Sequence, residues 1–260
     1  MKDWIKSAVN DFEAYVNSFT GLTTEQQNNF TIKKDHSLRV VDNTLLLSAQ
    51  LGLNDFEEKA AVLAAVFHDI GRFRQIAEFN TLNDATSADH SQIAVEVLKE
   101  NNMLAKWNEG LQEVVHRIIL VHNKFELPSN LPEQELMLAR VLRDADKLDI
   151  YKVLTDYYSR KSNPPNHMLT WELPKSSQVS PGVVKEVLSG KMVTKKEVKN
   201  EADVKILQMS WVFDINYKYT VGQVFRNRYL EKIYDSLPKN DPVIEIYRKI
   251  KVYAENKMME

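Results

Sequence analysis

Apolar residues recur along the chain mostly at spacings of three and four, which is the period of a helix with one buried face. Only 7 glycines and 8 prolines interrupt this pattern, which therefore predicts an all-α fold. In the first 160 residues, helices are predicted at about 4–19, 36–51, 54–70, 89–100, 107–122 and 132–157.

A proline-rich stretch separates these helices from the rest of the chain. Ser159–Gln178 contains three of the eight prolines and is predicted to be a loop, in which His167 is expected to be exposed. Further helices are predicted at about 181–188, 203–217, 222–237 and 242–257. We therefore expect a core formed by residues 1–160 and a helical extension, residues 161–260, packed on the same core.

The third predicted helix ends in an unusual dipeptide. Every residue from Ala60 to Phe67 is apolar, so this helix has no polar face and is predicted to be buried. Because burying an unpaired charge is costly, the Asp69 carboxylate that follows needs a strong partner, and a metal ion would serve. The dipeptide alone also fits an ordinary helix end, at which His68 caps carbonyl groups and Asp69 is solvated.

Four other histidines are placed by helical geometry, at 100° per residue. His122 falls within the apolar stripe of its helix and is predicted to be buried, whereas His116 points away and is predicted to be exposed. His90 shares a face with apolar residues and is predicted to point inward, although a partly exposed place in the first helical turn also fits. His36 and Arg39 lie on a polar stripe that, taken alone, indicates a solvated face.

The sixth predicted helix carries three aspartates near its apolar stripe. Asp144 and Asp146 flank the stripe on opposite sides, so helical geometry does not choose between them. Asp149 lies within the stripe and needs a partner. All three also fit ordinary flanking charge, with Arg143 and Lys147 as neighbours.

Composition excludes several classes of function. The net charge of −2 provides no strong field for extended nucleic acid or an anionic membrane. The chain has no cysteine, which excludes disulfides, thiolate metal sites and cysteine nucleophiles. The N-terminus lacks the apolar run of a signal peptide, and the longest apolar stretch is too short to span a bilayer, so a cytoplasmic location is expected.

Taken in chain order, the singled-out residues are His36, His68-Asp69, His90, His122 and Asp146. This order resembles the HD-domain superfamily, which is defined by a histidine, a His-Asp pair and a distal aspartate, all on helices. The resemblance covers about residues 30–150 and implies that Asp146 is the distal ligand. Five segments are similar to the motifs of that family: Lys34–Val40, Val66–Phe73, Ser87–Ser91, Ile118–Asn123 and Asp144–Asp149.

Two departures from the motifs of the family narrow the range of activities that the resemblance implies. No Gly-Tyr-Pro element follows, which argues against a cyclic-di-GMP phosphodiesterase of the HD-GYP type. The His-Asp pair is followed by Ile-Gly-Arg instead of the acidic pair found in alarmone hydrolases, which argues against guanosine tetraphosphate hydrolysis.

The resemblance implies a metal-dependent phosphohydrolase acting on a small phosphorylated substrate, a phosphomonoester or phosphodiester such as a nucleotide, through metal-activated water. Imidazole and carboxylate ligands suit Mn²⁺, Fe²⁺, Zn²⁺, Ni²⁺ or Co²⁺. The implied site holds one ion if His36, His68, Asp69 and Asp146 bind. It holds two, bridged by Asp69, if His90 and His122 join them.

The resemblance also suggests roles for residues around the ligands. His68, Asp69 and Arg72 are the expected catalytic residues. Arg39, Arg72 and Lys147 neighbour ligands in sequence and are expected to bind phosphate. Behind the ligands, Asp89 and Asp149 are expected to orient ligand histidines.

Two other functions are consistent with the same residues. Some HD-superfamily members use this six-residue set to hold two irons and activate O₂, as inositol and phosphonate oxygenases do. A third hypothesis is a non-catalytic HD module acting as a sensor or scaffold, against which the intact ligand set argues.

Overall fold

The computed structural model describes residues 2–159, 171 and 173–259. Within these ranges the chain forms α-helices and short 3₁₀ turns without a strand, which confirms the predicted all-α class. His167 and most of the predicted loop Ser159–Gln178 lie outside the described residues. No described helix combines the length and apolarity needed to cross a membrane.

The chain divides into two compact units, Met1–Asp149 and Ile150–Glu260. The helices that begin in the first unit are α1 (Asp3–Asn17), α2 (Thr24–Leu51), α3 (Asp55–Phe67), α4 (Ile70–Phe79), α5 (His90–Glu100), α6 (Glu109–His122) and α7 (Glu133–Ser159). Those of the second unit are α8 (Pro181–Leu188), α9 (Glu201–Ser210), α10 (Lys218–Arg226), α11 (Tyr229–Asp235) and α12 (Asp241–Met259). The packing of the predicted extension on the core stays a prediction.

Helix α3 is the centre of the first unit. Its residues from Ala60 to Phe67 are all buried, as the uninterrupted apolar run predicted. Helices α1, α2 and α6 pack around α3, so no face of the segment from Ala60 to Phe67 meets water. Edge-to-face rings tie the surrounding helices together, with the Phe73 ring on α4 5.6 Å from Phe12 and 5.0 Å from Phe30.

Several predicted helix boundaries were wrong. Helix α2 begins twelve residues before the predicted start at His36, because Thr23 and Gln26 form a capping box that satisfies its first free amides. The third helix ends at Phe67, and α4 follows it as a separate helix that was not predicted. In the second unit, two of the predicted helices each divide into two shorter elements: those at 203–217 and 222–237.

The second unit has its own core. Tyr151 is fully buried, stacks on Tyr229 and meets the edge of Trp211. The buried carboxylate of Asp203 accepts hydrogen bonds from the amide and hydroxyl of Ser180, which secures the start of α8. These contacts give the described residues of the second unit a packed interior.

Candidate metal centre

Four of the six candidate ligands lie at helix ends of the first unit, and His36 and Asp146 lie within α2 and α7. His68 closes α3 through a backbone hydrogen bond to Ala64, and Asp69 then breaks the helix with φ −103° and ψ 10°. Because Asp69 lies between α3 and α4, its carboxylate turns into the interior between the surrounding helices. His90 is the first residue of α5 and His122 the last of α6.

The first cluster consists of His36 from α2, His68 and Asp69 from the α3 end, and Asp146 from α7. His36 Nε2 lies 3.1 Å from Asp146 Oδ1 and 3.6 Å from Asp69 Oδ2. His68 Nε2 lies 3.8 Å from the same Asp146 oxygen and 3.6 Å from the same Asp69 oxygen. Four donor atoms from distant parts of the sequence thus converge on one point.

The second cluster shares Asp69 but uses its other oxygen. His90 Nε2 lies 3.4 Å from Asp69 Oδ1 and 3.2 Å from His122 Nε2. The rings form a continuous row, with centroids 5.5 Å apart for His36 and His68, 5.2 Å for His68 and His122, and 5.0 Å for His90 and His122. Oδ2 of Asp69 therefore faces His36 and His68, whereas Oδ1 faces His90, whose Nε2 in turn meets that of His122.

The remote nitrogen of every ring is already in use, which determines what the inward nitrogen can do. Each Nδ1 has an acceptor: Asp149 for His36 (2.7 Å), the Ala65 carbonyl for His68 (2.9 Å), Asp84 for His90 (2.8 Å) and the Ile119 carbonyl for His122 (2.6 Å). A carbonyl only accepts, so Nδ1 of His68 and His122 carries the proton and Nε2 of the neutral ring offers a lone pair.

These lone pairs fit a bound cation. Nε2 of His36 and of His68 is buried and makes no hydrogen bond within the described part of the chain. Nε2 of His90 and Nε2 of His122 face each other at 3.2 Å, and two lone pairs repel unless a positive charge lies between them. Two donors that each lie about 2.1 Å from one ion are about 3.0–3.4 Å apart at angles between 90° and tetrahedral. The observed spacings of 3.1–3.8 Å are close to that range.

Comparison with known proteins agrees with this geometry. The family model for the HD domain matches residues 34–151, which include all six candidate ligands. Residues 34–151 are an HD domain. No curated protein and no solved structure matched the chain. Members of the family are mostly metal-dependent hydrolases, and the buried His/Asp cluster is compatible with a metal site.

Three histidines of the HD domain are held neutral. Burial lowers the pKa of His68 and of His90. Burial, together with the neighbouring rings of His90 and His68, lowers the pKa of His122 to about 3. Neutral imidazole is the form that binds a metal, so these rings need not lose a proton first at pH 7.

Charged groups within the cluster shift one another's pKa values. Burial and the Lys33 ammonium oppose protonation of His36, but the Asp146 and Asp149 carboxylates outweigh them and raise its pKa. Burial opposes ionisation of Asp69, yet nearby cations, first among them Lys33, hold its pKa well below its usual range. Asp146 is ionised as well, because its contacts with His36 overcome the burial that would raise its pKa. The cluster therefore offers anionic oxygens beside the neutral nitrogens of His68, His90 and His122.

Two residues of this site were not singled out from the sequence. Lys33 Nζ lies 2.7 Å from Asp69 Oδ2, and a signal for it existed, since it precedes His36 by three residues on the same face of α2. Asp84 holds the His90 ring from a 3₁₀ turn, Asp84–Thr86, where no helical periodicity marks it.

The residues expected behind the ligands have different partners. Asp149 holds His36 and is itself bound by Arg39 through contacts of 2.6 and 3.0 Å. Asp89 instead caps α5 and binds Asn123 and Lys124 just beyond α6, so it joins the two helix ends that bear His90 and His122.

The residues expected to bind phosphate differ in their contacts and burial. Arg72 Nη1 binds Asp84 Oδ1 and the Leu82 carbonyl, each at 2.7 Å, while its Nε lies 3.6 Å from Asp69 Oδ1. Arg72 Nε is buried and has no hydrogen-bond partner among the described residues. Lys147 is half-buried next to Asp146 in sequence.

One histidine prediction was wrong. His116 is half-buried, whereas its position opposite the apolar stripe predicted exposure. Helix α6 packs against both α3 and α5, so the face that bears His116 is partly covered, and Lys99 of α5 lies close enough to help lower its pKa after burial itself. His90 and His122 are buried, as the stripe analysis predicted.

Proposed function

We propose that this protein is a metal-dependent phosphohydrolase that cleaves a phosphomonoester or a phosphodiester, with nucleotides as the first substrates to test. The observation that carries this proposal is the sharing of Asp69 between two clusters: its Oδ2 lies near His36 and His68, and its Oδ1 lies near His90, which contacts His122. Two clusters that share a carboxylate are the arrangement expected for a pair of adjacent metal ions. Such pairs are used by enzymes that hydrolyse phosphate esters.

In this proposal His36, His68, Asp69 and Asp146 hold one ion, and His90, His122 and the second oxygen of Asp69 hold another. Bound divalent cations supply acidification of water and neutralisation of charge on phosphate oxygens. Mn²⁺, Fe²⁺, Zn²⁺, Ni²⁺ and Co²⁺ all accept this donor set of nitrogen and oxygen.

The protein's own cations contribute to phosphate binding. Arg72 Nε is a buried donor 3.6 Å from Asp69 Oδ1 that makes no hydrogen bond among the described residues, so it has capacity for a phosphate oxygen at the second cluster. Its Nη1 bonds to the segment around Asp84 hold the guanidinium in place. Arg39 already binds Asp149, and Lys147 lies beside a ligand, so we rank both after Arg72 as contacts for substrate.

The test begins with metal-free protein reloaded with Mn²⁺, Ni²⁺ or Co²⁺. A panel of phosphomonoesters and nucleotides is followed by phosphate release, and phosphodiesters are followed by chromatography of the products. We expect turnover that requires metal and is lost in Asp69→Asn, which keeps the side-chain volume but removes the shared charge. Asp55→Asn is the matched control, because that carboxylate is exposed on α3, where it pairs with Lys59.

Two other outcomes would reject the proposal. If the protein binds metal but turns over no phosphate ester with any of the three ions, a sensor or scaffold role replaces it. If iron-loaded protein consumes O₂ in the presence of an oxidisable polyol or phosphonate, the same ligands serve an oxygenase.

A further inference from the structure

Lys33 is the closest cation to the shared carboxylate. Its Nζ lies 2.7 Å from Asp69 Oδ2, and the Lys33 and Asp69 side chains are 16% and 5% exposed. No other ion pair or hydrogen bond of Lys33 occurs among the described residues. A lysine ammonium that is largely removed from water thus depends on one carboxylate oxygen for its charge compensation.

That oxygen is also the one that the first cluster uses. Asp69 Oδ2 lies 3.6 Å from Nε2 of His36 and 3.6 Å from Nε2 of His68. A divalent cation held by these rings would neutralise the negative charge that now attracts Lys33. The ion and the ammonium would then be like charges a few ångströms apart, and like charges at that distance in a partly buried site repel strongly.

We propose that Lys33 exchanges partners when the metal binds: its ammonium leaves Asp69 and pairs with the phosphate of the substrate. This inference rests on the proposed function. A lysine suits the exchange because its charge is compact and its four-carbon stem is flexible, so the ammonium can move while the stem stays packed. A phosphate oxygen drawn to the metal would bring new negative charge next to the displaced ammonium.

The proposal makes two linked predictions for Lys33→Met, which keeps an apolar stem and removes the charge. Removing a competing cation should tighten metal binding by about tenfold. Removing the phosphate partner should weaken binding of inorganic phosphate to the metal-loaded protein by about tenfold. A residue that only orients Asp69 would behave in the opposite way in the first measurement, because its loss would weaken metal binding.

Both quantities are measured on the full chain without turnover. Metal-free protein is titrated with Co²⁺, whose visible absorption reports its ligands, and the Co²⁺-saturated protein is then titrated with inorganic phosphate. Lys34→Met is the matched control: it removes the same charge from the next position of α2, where Lys34 pairs with Glu13 at 2.8 Å. It should leave both affinities within about twofold of the wild type.

The outcomes separate this inference from the function on which it rests. Weaker or unchanged Co²⁺ binding by Lys33→Met, or unchanged phosphate binding, overturns the exchange while the wild-type metal site stands. A wild-type protein that binds no Co²⁺ overturns both.

Discussion

Asp149 offers a direct measure of how the protein prepares a histidine for metal. Its Oδ2 accepts the Nδ1–H of His36 at 2.7 Å, and the carboxylate is 1% exposed and ion-paired with Arg39. The hydrogen bond keeps the proton on Nδ1, turns Nε2 towards Asp146 and makes the ring more basic. Replacing Asp149 with Asn keeps the shape but removes the charge behind the ring.

The size of the effect follows from the hydrogen bond that changes. A hydrogen bond with a charged partner contributes about 1.5–3 kcal/mol and a neutral one about 0.5–1.5 kcal/mol, so the substitution costs about 1–1.5 kcal/mol in ring orientation and basicity. Each 1.4 kcal/mol is about tenfold in affinity, and the loss of such partners typically weakens metal binding by about 10–100-fold. We therefore expect Mn²⁺ binding at the first cluster to weaken by about tenfold.

The assay is equilibrium dialysis against Mn²⁺ with free ion counted by electron paramagnetic resonance. Asp35→Asn is the control, since Asp35 adjoins His36 on α2 but is exposed. Circular dichroism of both variants establishes that the helices remain. An affinity for Mn²⁺ in Asp149→Asn within about twofold of the wild type would show that Asp149 does not prepare His36 for metal binding. An equal loss of affinity in Asp35→Asn would show the same.

Three further predictions concern stability and metal loading. Gly71→Ala should cost about 1–3 kcal/mol of unfolding free energy in urea titration, because a Cβ there would meet the His90 carbonyl and lie 2.6 Å from the Ala94 amide nitrogen. Gly110→Ala, whose nearest neighbour atom is 3.6 Å away, should instead be neutral or stabilising, and equal effects in both variants would contradict this. Thr23→Ala removes the cap of α2 and should cost about 1 kcal/mol by the same titration, and an unchanged midpoint would show that the cap contributes nothing. Mn²⁺ at 100 times its dissociation constant should stabilise the wild type by about 2.7 kcal/mol in calorimetry, and an equal gain in Asp69→Asn would mean that the ion binds elsewhere.

Hydrophobic periodicity and the order of the motifs were sufficient to predict much of the structure of the first unit. The uninterrupted apolar run of α3 predicted its burial, and the stripe of α6 predicted that His122 points inward. Helical geometry could not decide between Asp144 and Asp146, because both flank the same stripe. The resemblance implied Asp146, and its Oδ1 lies 3.1 Å from His36 Nε2.

Other features depend on contacts that no local pattern contains. The break at Asp69 follows a helix that is apolar on all sides, so no change of period announces it, and α4 was missed for that reason. Asp84 reaches His90 from a short turn between helices, a position defined only once α4 and α5 pack together. Lys33 shares a face with His36, but a lysine on a polar stripe is usually solvated, and only the arrival of Asp69 from α3 gives it a buried partner.

The proposed metal centre requires that side chains from distant helices bind one cation together. A crystal of the protein grown with Mn²⁺, measured with X-rays at the manganese absorption edge, locates the ion directly. We expect an anomalous peak within about 2.3 Å of Nε2 of His36 and His68 and of oxygens of Asp69 and Asp146, with a second beside His90 and His122 when both sites fill. A fully loaded crystal with no peak among these side chains, or with manganese only at surface carboxylates, would contradict it.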